Sequence, residues 1–474
     1  MISFTEKENP NGIFNYFLEI SHIPHGSGNT SAIADYLVGF AKDRGLECER
    51  DGANNVIIRK PATAGYESRP TVIIQGHTDM VAEKLPELEL DMEREGLEVY
   101  RDADWLRARG TTLGGDDGVA VAYALALLAA TDIPHPAIEA VFTSDEEIGL
   151  LGAAALDCSR LKGRILINVD SDEEGIFTVG CAGGGRVDIS LPISGAFSAK
   201  QGYKLTVSGL LGGHSGVEID KNRSNAIKVG TDVLAKIGGV CLCTMSGGNM
   251  DNAIPRDFVA TFATDSDISA SFEAAKNAEI SKAITGDPDI RITCEPCELD
   301  APVYSAEVSA TVLSLFGSVR TGVIAMSTEI KGLVESSENI GIARLGDGLC
   351  KLTVSVRSAK KDAKARLIAD LKDIAAAHGA SVSVRGEYPA WEYKNDSHIR
   401  DVAVKVYKDM YGKAPIVVTI HAGLECGLFS DAIPGLDCIS IGPDNRDIHT
   451  TEEHLSISST VRVWEFILNV LKEI

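Results

Sequence analysis

The sequence predicts an α/β fold in which a sheet flanked by helices is interrupted by an inserted α+β domain. Apolar runs typical of buried strands alternate with helical runs up to about Gly180. Beyond that point the strands become more amphipathic, and from Ser397 the first pattern returns. We therefore expect a discontinuous domain of residues 1–182 and 389–474, with residues 183–388 forming the inserted domain.

The outer domain is predicted from segments whose apolar residues follow either helical or strand periodicity. Its predicted helices are 13–20, 30–45 (with Thr30 or Ser31 as N-cap), 119–130, 397–411 and one after Ser459. Its predicted strands are 55–59, 71–75, 138–143, 164–170, 415–420 and 437–442. Strands that alternate with helices indicate a parallel sheet, and functional residues then belong at the carboxyl ends of its strands.

The inserted domain is expected to begin with a glycine-rich turn at residues 181–185. Its predicted strands are 203–208, 256–263, 290–294, 349–357 and 381–387, and its predicted helices are 224–237, 266–284, 306–319 and 362–378. This order suggests two α+β halves related by duplication, although no residue-level repeat supports it.

The composition limits the function classes. No apolar run approaches the roughly 20 residues that span a bilayer, and the polar N-terminal segment is unlike a secretory signal. Ten cysteines without a regular framework are typical of reduced thiols, so we expect a cytoplasmic protein. A net charge of −23 argues against nucleic acid and anionic membrane as partners.

Four polar clusters lie at strand ends or helix starts of the predicted sheet. They are GHTDMV with His77 and Asp79, LGGDDGVA with Asp116 and Asp117, TSDEEIGLLG with Glu146 and Glu147, and NVDSDEEG with Asp170. Each cluster alone is more typical of a hydrogen-bonded turn, a helix cap or a solvated loop. Together at one sheet edge they would bury several carboxylates, which is costly without cations. The four clusters therefore predict a divalent metal site.

The order of these motifs, followed by GGHSG, NAIPRD, HAGLECG and IHTTEEH, resembles the co-catalytic zinc exopeptidases. The resemblance runs from the first helix to the last strand and is greatest to the aminoacylhistidine (Xaa-His) or cytosolic non-specific dipeptidase branch. It implies a zinc-exopeptidase-like sheet flanked by helices, and an inserted lid domain that also dimerises.

The resemblance also implies a ligand set for two zinc ions per chain. His77 and Asp170 would bind one ion, Glu147 and His449 the other, and Asp116 would bridge both. Nitrogen and oxygen ligands of this kind suit zinc, with manganese or cobalt as possible substitutes.

Two residues beside these ligands are implied to be catalytic. Asp79 would orient His77 from outside the ligand set, and Glu146 would act as general base on a water activated by the two zinc ions. Asp117 stands where several relatives carry asparagine, which adds a carboxylate without removing a ligand. His449 is preferred as the ligand over His454, which we expect at the surface.

Further site residues are implied in GGHSG, NAIPRD, SVRS and HAGLECG. His214 would polarise the scissile carbonyl or hold the oxyanion, within its own chain or across a dimer. Asn252 and Arg357 would hold the substrate carboxylate, and His421 and Glu425 would line the substrate pocket. Without the resemblance, an ordinary turn at His214 and a surface charge at Arg357 remain open interpretations.

The function implied is a metallo-dipeptidase that hydrolyses dipeptides with a free amino terminus, with Xaa-His dipeptides among the candidate substrates. A zinc deacylase of N-acyl amino acids and a non-catalytic assembly or binding protein remain alternatives. A nicotinamide-dependent oxidoreductase is disfavoured because no glycine fingerprint follows the first strand. We expect a homodimer formed through the inserted domain.

Overall fold

A computed structural model describes residues 2–474, which form two compact units. The first unit comprises residues up to Gly180 together with Tyr393–Thr419 and Leu424–Ile474. The second comprises Cys181–Glu392 and Ile420–Gly423. The expected role of the inserted segment as a lid and dimerisation domain stays a prediction.

The helices begin and end close to where apolar periodicity predicts them. They are α1 Ile13–Ser21, α2 Ser31–Asp43, α3 Gly115–Ala129, α4 Leu151–Ala155, α5 Ala226–Ile237, α6 Ser269–Ala283, α7 Ala306–Ser318, α8 Lys361–Ala377, α9 His398–Tyr411, α10 Glu425–Ala432 and α11 Ile457–Glu473. Single 3₁₀ turns occur at Pro10–Gly12 and Cys158–Arg160.

The strands of both units follow in chain order. They are β1 Glu47–Arg50, β2 Val56–Lys60, β3 Val72–His77, β4 Val99–Asp102, β5 Trp105–Ala108, β6 Ile138–Thr143, β7 Ile165–Asn168, β8 Ile176–Cys181, β9 Gly183–Pro192, β10 Ala196–Phe197, β11 Gln201–Ser208, β12 Gly213–His214, β13 Cys241–Gly247, β14 Ala253–Ile254, β15 Phe258–Ala263, β16 Arg291–Glu298, β17 Val303–Tyr304, β18 Gly322–Met326, β19 Val334–Gly346, β20 Leu349–Ser358, β21 Ser381–Tyr388, β22 Ile416–Ile420, β23 Asp437–Ser440, β24 Asn445–Arg446 and β25 His454–Ser456.

The main sheet of the first unit has the strand order β1-β2-β6-β3-β7-β23-β8-β22. Its centre is parallel, because β3 pairs in parallel with β6 and β7, and β23 with β7. The predicted parallel sheet is therefore confirmed at the centre, and the sheet differs from it at the margins. There β1, β2 and β8 pair antiparallel with their neighbours. Antiparallel pairing requires no crossover helix between the paired strands, so the alternation of strands and helices in the sequence does not report it.

The central strands and α3 build the core of the first unit. Every residue of β3, β6 and β7 is buried, as expected for strands covered on both faces. Helix α3 is apolar on all sides from Val119 to Leu128 and packs against β3 and α1. This packing places the start of α3 beside the carboxyl end of β3.

A small antiparallel sheet with the order β24-β25-β5-β4 lies in the same unit. It pairs His454 with Arg107 and Asn445 with Leu455. The turn between β24 and β25 carries His449.

The second unit contains one antiparallel sheet of nine strands rather than the two predicted halves. Its order is β16-β11-β15-β13-β19-β20-β9-β21, and β18 also pairs with β19. The glycine-rich turn predicted at residues 181–185 is also wrong, since Gly183–Pro192 is the strand β9. The Cβ that a side chain at Gly184 would add lies 2.5 Å from the Tyr388 hydroxyl, so these glycines allow close strand approach rather than a turn.

No helix among residues 2–474 combines the length and apolar character required to cross a membrane.

Candidate active site

His77 is the last residue of β3 and the centre of one group of potential metal ligands. Its Nε2 lies 3.1 Å from Asp116 Oδ1 and 3.8 Å from Asp170 Oδ1. Its Nδ1 lies 2.9 Å from the backbone oxygen of Asp79, which can only accept. Nδ1 therefore carries a proton, and in the neutral ring the Nε2 lone pair points toward two carboxylates.

His449 belongs to a second group. Its Nε2 lies 3.3 Å from Asp116 Oδ2 and 2.9 Å from Glu147 Oε1. The two oxygens of Asp116 thus face different histidines. Ligand atoms of His77, Asp116 and Asp170 lie within 4.8 Å of one another, as do those of Asp116, Glu147 and His449. The structure therefore brings together all five residues expected to bind metal.

Glu146 also approaches the first group, since a set of ligand atoms from His77, Glu146 and Glu147 lies within 4.8 Å. Geometry alone therefore permits Glu146 to act as a ligand or as a base. The resemblance assigns it the role of base, and this assignment stays a prediction.

Asp79 organises the loop that follows β6. Its Oδ1 accepts a hydrogen bond from the Glu146 backbone N–H at 2.9 Å, and its Oδ2 accepts one from Glu147 at 3.3 Å. Ser27 Oγ also donates to Oδ2, at 2.8 Å. Asp79 Oδ1 lies 3.5 Å from His77 Nδ1, so this buried carboxylate braces one histidine and both glutamates.

The site concentrates negative charge in a buried setting. Burial raises the pKa of Asp170 to about 6, and burial together with nearby carboxylates raises the pKa of Glu146 well above its usual range. Hydrogen bonds with Asp116 and Glu147 raise the pKa of His449 to about 10. The pKa of His77 is raised despite its burial, chiefly by Asp116 and Asp170. Each of these shifts reflects charge that protons or cations must balance.

The residues present fit a pair of divalent cations. The donors are imidazole nitrogens and carboxylate oxygens, which suit zinc and chemically similar ions. Glu147 Oε1 is buried, and it lies 2.9 Å from His449 Nε2, which must carry a proton there unless a cation lies between the two groups. A cation between Glu147, Asp116 and His449 would satisfy this atom.

Asp117 and His454 lie close in sequence to the predicted ligands Asp116 and His449, but their side chains have different surroundings. Asp117 is buried and accepts a hydrogen bond from the His77 backbone N–H at 3.2 Å, so it faces the sheet. The expectation of a surface position for His454 is wrong. Its ring is half-buried and packs edge-on against Trp105 at 4.5 Å between centroids, because β25 pairs with β5.

The second unit carries the other predicted site residues. His214 in β12 pairs with Ala253 in β14, and Ser215 N–H donates to the backbone oxygen of Asn252 at 2.8 Å. The backbone N–H groups of Gly216 and Val217 donate to His214 Nδ1 at 3.3 and 3.2 Å. The proton of the neutral ring therefore sits on Nε2, which is left as a hydrogen-bond donor.

Arg357 and His421 lie in the same unit. The Arg357 guanidinium donates to the Tyr388 hydroxyl at 2.9 Å, while its buried Nε has no acceptor within the described residues. Burial, aided by the charge of Arg357, lowers the pKa of His421 to about 3. Burial and the same charge lower the pKa of His214. Arg357 is thus a buried cation among neutral imidazoles.

Sequence reasoning missed the buried carboxylate of Glu453 near the metal ligands, and it placed Glu425 only as a residue that lines the substrate pocket. Glu425 accepts hydrogen bonds from Gln75 Nε2 and Thr143 Oγ1 at 2.6 and 2.7 Å, and burial raises its pKa to about 7. Glu453 accepts bonds from the backbone that precedes α3. HAGLECG and IHTTEEH contain these residues, but no local pattern indicates partners hundreds of positions away.

Residues 73–473 match the peptidase family M20/M25/M40, and the chain belongs to this family. It is 35% identical to the cytosol non-specific dipeptidase of Escherichia coli strain K12, with 98% of each chain covered.

Solved structures agree with this assignment. The aminoacylhistidine dipeptidase of Vibrio alginolyticus superposes with a TM-score of 0.91 at 32% identity, covering 100% of this chain and 98% of that one. Aminopeptidase PepT of Bacillus cereus superposes with a TM-score of 0.57 at 18% identity, with 98% of each chain covered. The second likeness concerns the fold alone.

Proposed function

We propose that this chain is a metal-dependent dipeptidase that hydrolyses dipeptides with a free amino terminus. The observation that carries the proposal is the pair of ligand groups that share Asp116. The whole-chain similarity to a dipeptidase of Escherichia coli and to an aminoacylhistidine dipeptidase of Vibrio alginolyticus supports the substrate class. Dipeptides with a C-terminal histidine are therefore among the candidate substrates.

Two divalent ions are proposed at this site, held by His77 and Asp170 on one side, Glu147 and His449 on the other, and Asp116 between them. Zinc is the proposed ion, with manganese and cobalt as possible substitutes. Such ions supply Lewis-acid polarisation of a carbonyl oxygen and lower the pKa of water.

Glu146 is proposed to take the proton from the attacking water and to deliver it to the leaving amine. Its neighbour Glu147 faces His449 at 2.9 Å, and Asp79 fixes the backbone N–H groups of both glutamates. Because Asp79 anchors the loop at two successive amides, it orients the base relative to the ligands. Asp79 is therefore proposed as a positioning residue.

Four residues of the second unit are proposed to handle substrate. His214 offers an Nε2–H donor suited to a carbonyl oxygen or an oxyanion. The buried Nε of Arg357 suits a substrate carboxylate, and Asn252 is assigned to the same task. His421 is assigned to the lining of the substrate pocket. These roles rest on the resemblance together with the local contacts of each side chain.

Two alternatives have distinct consequences. A deacylase of N-acyl amino acids would use the same metal ligands without requiring a free α-amino group. A non-catalytic binding protein would have no use for a buried carboxylate such as Glu146 beside the ligands, and the similarity to dipeptidases over the whole chain favours catalysis.

The experiment is hydrolysis by the purified chain, loaded in turn with zinc, manganese and cobalt, of a dipeptide panel and the matching N-acetylated compounds. We expect release of free amino acids from dipeptides and little from the acetylated set. Faster turnover of the acetylated compounds would identify a deacylase. No hydrolysis of either set with any of the three ions would favour the non-catalytic alternative.

A cytoplasmic location and a homodimer complete the proposal. The similar protein of Escherichia coli is named a cytosol dipeptidase, which supports the location. The dimer, formed through the inserted segment, rests on the resemblance.

A further inference from the structure

Glu453 is a buried residue that holds the segment carrying Asp116. Only 3% of its surface is exposed. Its Oε2 accepts hydrogen bonds from the backbone N–H groups of Leu113 and Gly114 at 2.7 and 2.9 Å. Its Oε1 accepts bonds from the N–H groups of Gly115 and Asp116 at 2.8 and 3.3 Å. One carboxylate therefore binds four consecutive amides.

These amides begin helix α3, where backbone N–H groups have no acceptor within the helix. The N-cap residue Gly114 has no side chain to supply one. Glu453, which is distant in sequence, supplies the acceptor for these N–H groups. Its negative charge is also favourable at the positive end of the helix dipole. The neighbouring backbone is closely packed, because a Cβ added at Gly115 would lie 2.8 Å from Asn445 Nδ2.

The backbone of Glu453 also closes a four-residue turn that begins directly after His449. Its N–H donates to the Thr450 oxygen at 3.1 Å, and Asn445 Nδ2 donates to its Oε1 at 3.1 Å. His449 adopts a left-handed φ of 63°, so its backbone must be held by its surroundings. Glu453 therefore joins the turn that follows one ligand to the segment bearing another. The two ligands approach to 3.3 Å between His449 Nε2 and Asp116 Oδ2.

We propose that Glu453 is a positioning residue that fixes Asp116 relative to His449 and thereby sets the affinity and geometry of the metal site. The inference rests on the proposed function, because it needs these residues to be ligands. A glutamine cannot replace Glu453, since it has one acceptor oxygen and its amide group would face two backbone N–H donors.

The test compares Glu453→Gln with Glu452→Gln, a matched change at the adjacent residue, whose side chain is 76% exposed. Zinc and cobalt affinities are measured by competition with a chromophoric chelator, and the visible absorption of bound cobalt reports ligand geometry. In Glu453→Gln we expect affinity for at least one ion to fall about 10–100-fold and the cobalt spectrum to change. Glu452→Gln should match the wild type. A Glu453→Gln chain with wild-type affinity and spectrum would overturn the inference, even if its thermal stability were lower.

The wild-type chain supplies a second measurement that does not depend on folding of a variant. Amide hydrogen exchange in the metal-free protein should be as slow at residues 113–116 as in the interior of α3, because all four N–H groups are bonded to a buried acceptor. Rapid exchange at these amides would overturn the inference. Failure of the wild type to bind any divalent ion would instead contradict the proposed function. The exchange rates would then still test the contact between Glu453 and the four amides.

Discussion

His421 shows how the environment of one residue fixes its protonation state. The side chain is 6% exposed, and Ser337 Oγ lies 2.8 Å from its Nε2. Burial and the nearby Arg357 charge lower its pKa to about 3, from 6.5. The folded chain therefore keeps this imidazole neutral under conditions in which the unfolded chain protonates it.

This difference predicts a pH-dependent loss of stability. As pH falls below 6.5 the unfolded state gains a proton at His421 that the folded state does not, so the free energy of unfolding decreases. The decrease from this group is roughly 1 kcal/mol between pH 7.5 and 5.5. Urea unfolding at the two pH values measures this decrease. The free energy of unfolding of His421→Gln should fall by that much less than the free energy of unfolding of the wild type. The exposed His398→Gln controls for removal of a histidine, and an equal loss in wild type and His421→Gln would contradict the assignment.

At the scale of elements, the contact between β3 and α3 positions the candidate site. Gly76 lies one residue before His77, and a Cβ added there would be 2.3 Å from Ala120 Cβ and 2.5 Å from Asp117 Oδ2. The strand and helix can therefore approach this closely only with glycine at residue 76. The approach sets the spacing between His77 and the start of α3.

Gly76→Ala should therefore destabilise the metal-free chain by about 1–3 kcal/mol, because neither the helix backbone nor Asp117 can move freely. Gly39→Ala is the matched control. Gly39 lies within α2 with nothing inside 4 Å of an added Cβ, so alanine should leave stability unchanged or raise it by up to about 1 kcal/mol. Chemical denaturation of both variants measures the difference. Equal stability of the two would show that the β3–α3 contact is looser than described.

Elements with strong local signals could be predicted from the sequence. The strand β6 coincides with the predicted residues 138–143, because six successive buried residues form an uninterrupted run. The strands β9 and β19 were missed. β9 starts with three glycines, and β19 carries buried polar residues such as Ser336 and Asn339. Their strand conformation is stabilised by pairing with β20, which no local pattern reports.

At the scale of the whole molecule, the candidate metal site joins segments from both ends of the chain. His77, Asp116, Glu147 and Asp170 could be grouped from the sequence because each follows a strand or opens a helix of one predicted sheet. His449 could be assigned only through the family resemblance, because it lies on a turn between two short strands. The supporting contacts of Glu453 and Glu425 could not be predicted, since they depend on tertiary packing.

The proposed assembly makes a prediction about mixed subunits. A two-fold interface uses the same surface on both chains, so His214 of one subunit could complete the site of the other. If it does, co-expressing His214→Ala with Glu146→Gln gives mixed dimers with one intact site and up to half of the wild-type activity per dimer. The activity of purified mixed dimers measures this. No recovery would show that His214 acts within its own chain, and a monomer by light scattering at micromolar concentration would contradict the dimer itself.

The central claim is that five residues hold two divalent ions while Glu146 transfers protons. Its most direct test is metal content and dipeptide turnover measured together on Glu146→Gln, with Asp116→Ala as the comparison. Glu146→Gln should retain two ions per chain and lose roughly 10²–10⁴-fold in turnover, because it keeps the shape of the side chain but not its basicity. Asp116→Ala should lose both metal and activity. An active Glu146→Gln chain, or one that loses its metal, would contradict the account.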